Sequence, residues 1–196
     1  FGERLYVIVV VSKINKPYVE EIIDIGEHLG LNLKLNPLFS AGRATEFFNT
    51  VGLTAEEYGE VLVRAYRQWS KYKPSGMIFE QGKEYEDYVR GIDIKPLLKC
   101  PYSGSCTGYI WGISPRGEIY NCLTSMYFGK YLLGNYITGI NEQSFREAQM
   151  HSLPDPECLT CGICGGGCKL FRTQEGKSLW CLSYKMLYSE IKERIP

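Results

Sequence analysis

Eight cysteines stand in this chain of 196 residues, and all of them fall after residue 99: Cys100, Cys106, Cys122, Cys158, Cys161, Cys164, Cys168 and Cys181. Four form one run, Cys158-x2-Cys161-x2-Cys164-x3-Cys168, with Gly162, Gly165, Gly166 and Gly167 between them. Glycine lets a backbone fold tightly and brings amide N–H groups close to sulfur. No charged leader with a cleavage site precedes the first strand pattern, which favours a cytoplasmic setting, where clustered thiols more often hold metal than form disulfides.

The run has the spacing of bacterial two-cluster ferredoxins, in which three cysteines hold one iron–sulfur cubane and the fourth crosses to a second. Lys169 stands where that run has proline. If three thiols serve one cluster and one the other, four more are required, and four remain: Cys100, Cys106, Cys122 and Cys181. Cys181 can complete the set of Cys158, Cys161 and Cys164, leaving Cys100, Cys106 and Cys122 to join Cys168. Two zinc sites of four cysteines each use the same number of ligands. A zinc-stabilised binding module therefore stays open beside two [4Fe–4S] clusters, as do disulfides.

The residues before the cysteines read as α/β. Leu5 to Val11 is an apolar, β-branched run of the kind buried on both faces of a parallel sheet. A helix from about Tyr18 to Leu29 follows, with Gly30 placed to end it, and then a second strand within Leu31 to Phe39. Ser40 to Asn49 reads as a loop. Thr54 and Glu57 form a capping box that opens a helix carrying Tyr58, Val61, Leu62, Ala65, Tyr66 and Trp69 on one face. Residues 75–99 read as a linker. A hairpin turning at Ser114-Pro115-Arg116-Gly117 and a helix from about Leu182 to Arg194 complete the pattern. The predicted domains are 1–98 and 99–196. Two βα units alone leave apolar sheet edges open, so further strands are expected upstream of Phe1.

Charge narrows the partners. Lys plus Arg and Asp plus Glu both number 22, for a net charge of zero, so the chain has no basic field for nucleic acid and no polybasic membrane signal. No apolar stretch approaches the roughly 18 residues a membrane helix needs.

The arrangement resembles the SPASM domain of radical S-adenosylmethionine (SAM) enzymes. Cys106 is followed by ten residues and then Gly117-x4-Cys122, the run ends in C-x3-C at Cys168, and Cys181 stands alone after it. Cys100 matches the extra ligand of a fully protein-ligated first cluster. The family usually has about five residues between the second and third cysteines of the run; two are found here, which bears on loop shape and not on ligand count. LYVIVVVSKIN, LKLNPLFSAGRA and LTAEEY are similar to the last strands and helices of the radical SAM partial barrel, so the likeness covers nearly the whole chain.

By this resemblance Cys100, Cys106, Cys122 and Cys168 hold auxiliary cluster I, nearer the active site. Cys158, Cys161, Cys164 and Cys181 hold auxiliary cluster II, farther out. A whole enzyme of this kind uses SAM and a third [4Fe–4S] cluster to make a 5′-deoxyadenosyl radical that abstracts hydrogen from a peptide or protein. An electron donor such as a flavodoxin or ferredoxin supplies it. The C-x3-C-x2-C loop for the third cluster does not occur in these residues, so the chain alone is not expected to cleave SAM, and a missing N-terminal radical SAM half is expected. Sulfatase-maturing members carry an aspartate after the cysteine of G-x4-C; Leu123 stands there, which favours another peptide modification, like that of a ribosomal peptide maturase. The rival from another class is a ferredoxin-like electron carrier.

Asn15, Asn36 and Arg43 lie at or beyond strand ends, where α/β barrels place ligands, and are candidate SAM or substrate contacts. Turn chemistry is the plainer account of the asparagines, and a surface charge that of Arg43. Tyr109, Trp111 and Tyr120 are candidates for shielding a cluster. His28 reads as exposed and His151 as a loop residue.

Overall fold

A computed structural model describes residues 5–92, 110–150, 156–164 and 166–195. It is mixed α/β and divides into two compact units, residues 1–94 with 182–196 and residues 95–181. The predicted boundary at 98/99 lies outside the described residues. The C-terminal helix, predicted with the cysteine-rich half, falls in the first unit apart from its first residue.

In the first unit β1 (Tyr6–Val11) and β2 (Asn32–Pro37) pair in parallel, Tyr6 opposite Asn32 through Val11 opposite Pro37. Between them runs α1 (Val19–Leu29), ended by Gly30 at φ 64, where Leu31 N–H reaches Gly26 O at 2.9 Å. That left-handed residue is open to glycine at no steric cost. After β2 come α2 (Ala44–Val51), α3 (Ala55–Ser70) and α4 (Glu80–Val89), and the chain ends in α8 (Cys181–Arg194).

Three sequence expectations are corrected. β1 is not buried on both faces: Tyr6, Ile8 and Val10 are 46%, 60% and 50% exposed, while Val11 is buried. The described helices cover one face only, so period-two exposure replaces the double burial expected of a central strand. Ser40–Asn49 is not all loop, because α2 begins at Ala44. The linker contains α4, whose buried residues include Gln81 and Glu86.

The core forms on the face of α3 that the apolar spacing marks: Tyr58, Val61, Leu62, Ala65, Tyr66 and Trp69 are all buried. Its start is the capping box, with Glu57 N–H donating to Thr54 Oγ1 at 3.1 Å and Thr54 N–H to Glu57 Oε2 at 2.9 Å. Polar groups inside the core are matched. Tyr58 OH donates to Leu35 O at 2.7 Å, Trp69 Nε1 donates to Met77 O at 3.1 Å, and the Gln81 amide bonds both N–H and C=O of Leu35. Residue 79 makes a parallel bridge with Leu33.

α8 meets α3 at Gly59, where an added Cβ would lie 2.4 Å from Met186 Sδ and 3.1 Å from Ser183 Cα, so the two helices pass closely there. A charged clamp lies beside it. Arg67 Nε and Nη2 donate to the two Glu190 carboxylate oxygens at 2.8 and 2.7 Å, and Arg194 also bonds Glu190.

The second unit holds an antiparallel sheet in the order β3 (Gly112–Ile113), β4 (Glu118–Tyr120), β5 (Leu132–Asn135), β6 (Gly139–Ile140). The predicted hairpin is the β3–β4 turn, where Gly117, at φ 79, donates to Ser114 O at 2.9 Å. Next to it lie α5 (Leu123–Phe128), α6 (Glu142–Met150) and α7 (Pro156–Cys161), with a small core of Ile119, Leu133 and Ala148 lined by Tyr131 and Phe145. Among the described residues no helix is long and apolar enough to cross a membrane.

The Arg67 guanidinium beside Glu190 holds that carboxyl below its ordinary range, against the opposing effect of burial and with help from Arg194. A depressed folded-state value means the stabilisation is present above the ordinary glutamate range and is lost as pH falls through the lowered one. Glu190→Gln is expected to cost about 1 kcal/mol near neutral pH. Urea unfolding should show that gap closing in acid, where the parent carboxyl is also neutral.

Candidate metal centre

The cysteine run is built from a short helix and a glycine turn. Cys158 and Cys161 share one face of α7 by their spacing, and Gly162, at φ 69, ends the helix with its N–H on Cys158 O at 3.0 Å. Cys164 follows, and Gly166 (φ 81) and Gly167 (φ 65) both take left-handed backbone. Gly167 N–H returns to Cys164 O at 3.1 Å. Gly167 is doubly constrained, because an added Cβ would lie 2.6 Å from Ser178 Oγ. Beyond Cys168 a single helical turn, Lys169–Phe171, leads into a tight return in which Thr173 N–H meets Lys177 O at 2.8 Å and Leu179 N–H meets Phe171 O at 2.8 Å. That return delivers Cys181, whose N–H bonds Ser178 O at 3.1 Å.

Cys158 and Cys164 are buried, Cys168 and Cys181 half-buried, and Cys161 exposed. Burial pushes the Cys164 thiol up to about 11, the Gly166 amide on its sulfur acts in opposition, and the charges of Cys181, Cys158 and Cys161 add to the rise. Cys181, Cys158 and Cys161 thus lie near enough to Cys164 to weigh on its thiol. Soft sulfur donors in this number suit an iron–sulfur cluster or zinc, and each must lose its proton on binding. Among the described residues no three His, Cys, Asp or Glu side chains stand close enough to hold a single ion.

The other set is described only in part. Cys122 is the N-cap of α5, and its sulfur accepts the Ser125 N–H at 3.3 Å and lies 3.3 Å from Ser125 Oγ. Cys100 and Cys106 lie outside the described residues, as do Tyr109 and His151. Tyr120 is buried and Trp111 is exposed.

Lys169, the departure from the ferredoxin pattern, has a structural use. Its Nζ donates to Ala148 O at 2.7 Å, at the end of α6, and stands 4.1 Å from the Tyr131 ring centroid. Proline has no side chain to make that tie. Nothing in the cysteine spacing signals this anchor, nor the Ser125 contacts with Cys122; only the departure at residue 169 points to the first.

Asn15 and Asn36 sit at the same end of the sheet. Asn15 Oδ1 accepts from Ser12 N–H at 2.8 Å and its Nδ2 donates to Val10 O at 2.9 Å, while Asn36 is the strand partner of Val10. Arg43 is exposed just before α2, and His28 is exposed on α1.

No protein-family profile matches the chain. It is 27% identical over 176 residues to the serine-type anaerobic sulfatase-maturating enzyme of Klebsiella aerogenes, covering 81% of this chain and 40% of that protein. Two solved structures share the fold. Native anSMEcpe with bound AdoMet gives a TM-score of 0.67 at 20% identity, covering 96% of this chain and 55% of that one. The same protein with bound AdoMet and Cp18Cys peptide gives 0.61 at 19%, covering 96% and 56%. The chain thus resembles radical SAM/SPASM enzymes. Within them it aligns to the C-terminal part of anaerobic sulfatase-maturating enzymes and spans less than two thirds of the proteins it matches.

Gly167→Ala places a side chain at positive φ and against Ser178, a cost of about 1–2 kcal/mol for the backbone alone. If the loop carries metal, iron analysis after anaerobic reconstitution is expected to show part of the iron lost from the variant.

Proposed function

We propose that this chain is the C-terminal part of a radical SAM/SPASM oxidoreductase that modifies a peptide or protein. Residues 1–98 would be the end of the partial barrel and residues 99–196 the SPASM domain. The observation that carries this reading is the likeness to sulfatase-maturating enzymes across both units, together with the shared neighbourhood of four thiols. Cys158, Cys161, Cys164 and Cys181 would hold one [4Fe–4S] cluster, and Cys100, Cys106, Cys122 and Cys168 the other. When bound, such a cluster takes up and passes on single electrons.

The protein's own part is to hold and insulate. α7 and the Gly166–Gly167 turn set the thiols, burial at Cys158 and Cys164 excludes water, and the Gly166 amide offsets charge on sulfur. SAM, a third cluster, a peptide substrate and a flavodoxin or ferredoxin donor belong to the whole protein in this reading, and Asn15, Asn36 and Arg43 are the proposed contacts at the strand ends. Leu123, beside Cys122, provides no carboxylate base, which favours a peptide modification other than formylglycine formation.

The carrier and zinc readings have less support. The open apolar face of β1 fits a larger fold that covers it better than a complete small carrier. Brown anaerobic protein with about eight irons and eight sulfides per chain is expected, against about two zincs in colourless protein. Cys168→Ala and Cys181→Ala should deplete different clusters; equal loss of one shared cluster would refute the partition. SAM and dithionite added to the whole protein should yield 5′-deoxyadenosine, and none would remove the radical reading.

A further inference from the structure

Arg172 grips the cysteine loop by two backbone carbonyls. Its Nε donates to Gly166 O at 3.1 Å and its Nη2 to Gly167 O at 3.0 Å. A planar guanidinium meets two neighbouring acceptors at once in a way that an ammonium cannot. Both glycines have left-handed φ, 81 and 65. Such a turn directs its amides into a shallow concavity that favours negative charge. The Gly166 amide lies on the Cys164 sulfur and the Gly167 amide on the Cys164 carbonyl. The fork therefore holds the carbonyl side of the turn whose amide side faces Cys164. It also places a permanent positive charge against the turn that follows Cys164.

We propose that Arg172 is a positioning residue for the metal centre of Cys158, Cys161, Cys164 and Cys181, fixing the glycine turn and raising that centre's reduction potential. This rests on the proposed cluster at those four thiols. Hydrogen bonds to sulfur and nearby positive charge both favour the reduced, more negative state of an iron–sulfur cluster. Two parts of the effect are separable: the charge, which lysine keeps, and the fork, which lysine cannot make.

The test is potentiometric titration of the anaerobically reconstituted chain, followed by electron paramagnetic resonance, with iron counted in each sample. Arg172→Ala is expected to keep its iron and to move one of two midpoints to more negative potential while the other stays. Arg172→Lys should move the same midpoint by less. An unmoved midpoint in Arg172→Ala at full iron content would overturn the proposal. So would equal loss of half the iron from both variants, because Arg172 would then only hold the loop together. Cys164→Ala separates the underlying assumption: if it retains all the iron of the parent, the cluster assignment fails, independently of Arg172.

Discussion

Burial of the Cys164 sulfur opposes its ionisation, and the glycine turn that follows folds back onto that residue. Water is withdrawn from Cys158 and Cys164, and the charges of Cys181, Cys158 and Cys161 add to the cost of ionising Cys164. A cation that binds sulfur would relieve both penalties together. The devices around it reduce the same strain. Left-handed glycines bring amides inward, Ser178 packs against one of them, and Lys169 ties the run's end to α6.

The first unit solves a different problem, that of a two-stranded sheet with more backbone polarity than strands to satisfy it. Side chains take the place of missing neighbours. The Gln81 amide serves both polar groups of Leu35, and the Tyr58 hydroxyl shares the carbonyl. Buried amides and phenols can do this because each carries the donor or acceptor a strand would supply. Helices then cover one face only, held by Gly59 at one crossing and by Arg64 at another, where Nε meets Glu20 Oε1 at 2.7 Å.

What the sequence disclosed follows the strength of its periodic signals. Val61, Leu62, Ala65 and Trp69 at helical spacing, the Thr54–Glu57 cap and the Gly30 stop all mark elements that the structure contains, and the turn at Gly117 marked its hairpin. α2 escaped because Thr45, Phe47, Asn49 and Thr50 are weak helix formers and the helix buries none of its residues. α4 escaped for the opposite reason: polar Gln81 and Glu86 are among its buried residues, so polarity disguised its core face. The cysteine run itself was legible from its spacing, whereas the Arg172 fork depends on a fold-back between residues 166 and 172 that no spacing rule encodes.

The Gln81 amide has a topological consequence. By occupying Leu35, with residue 79 bridged to Leu33, it stops the outer margin of β2 as a growing point. Any strand joining this sheet from elsewhere must dock beside β1. Sheet growth is thereby one-directional, and a glutamine shares with that bridge in setting the direction.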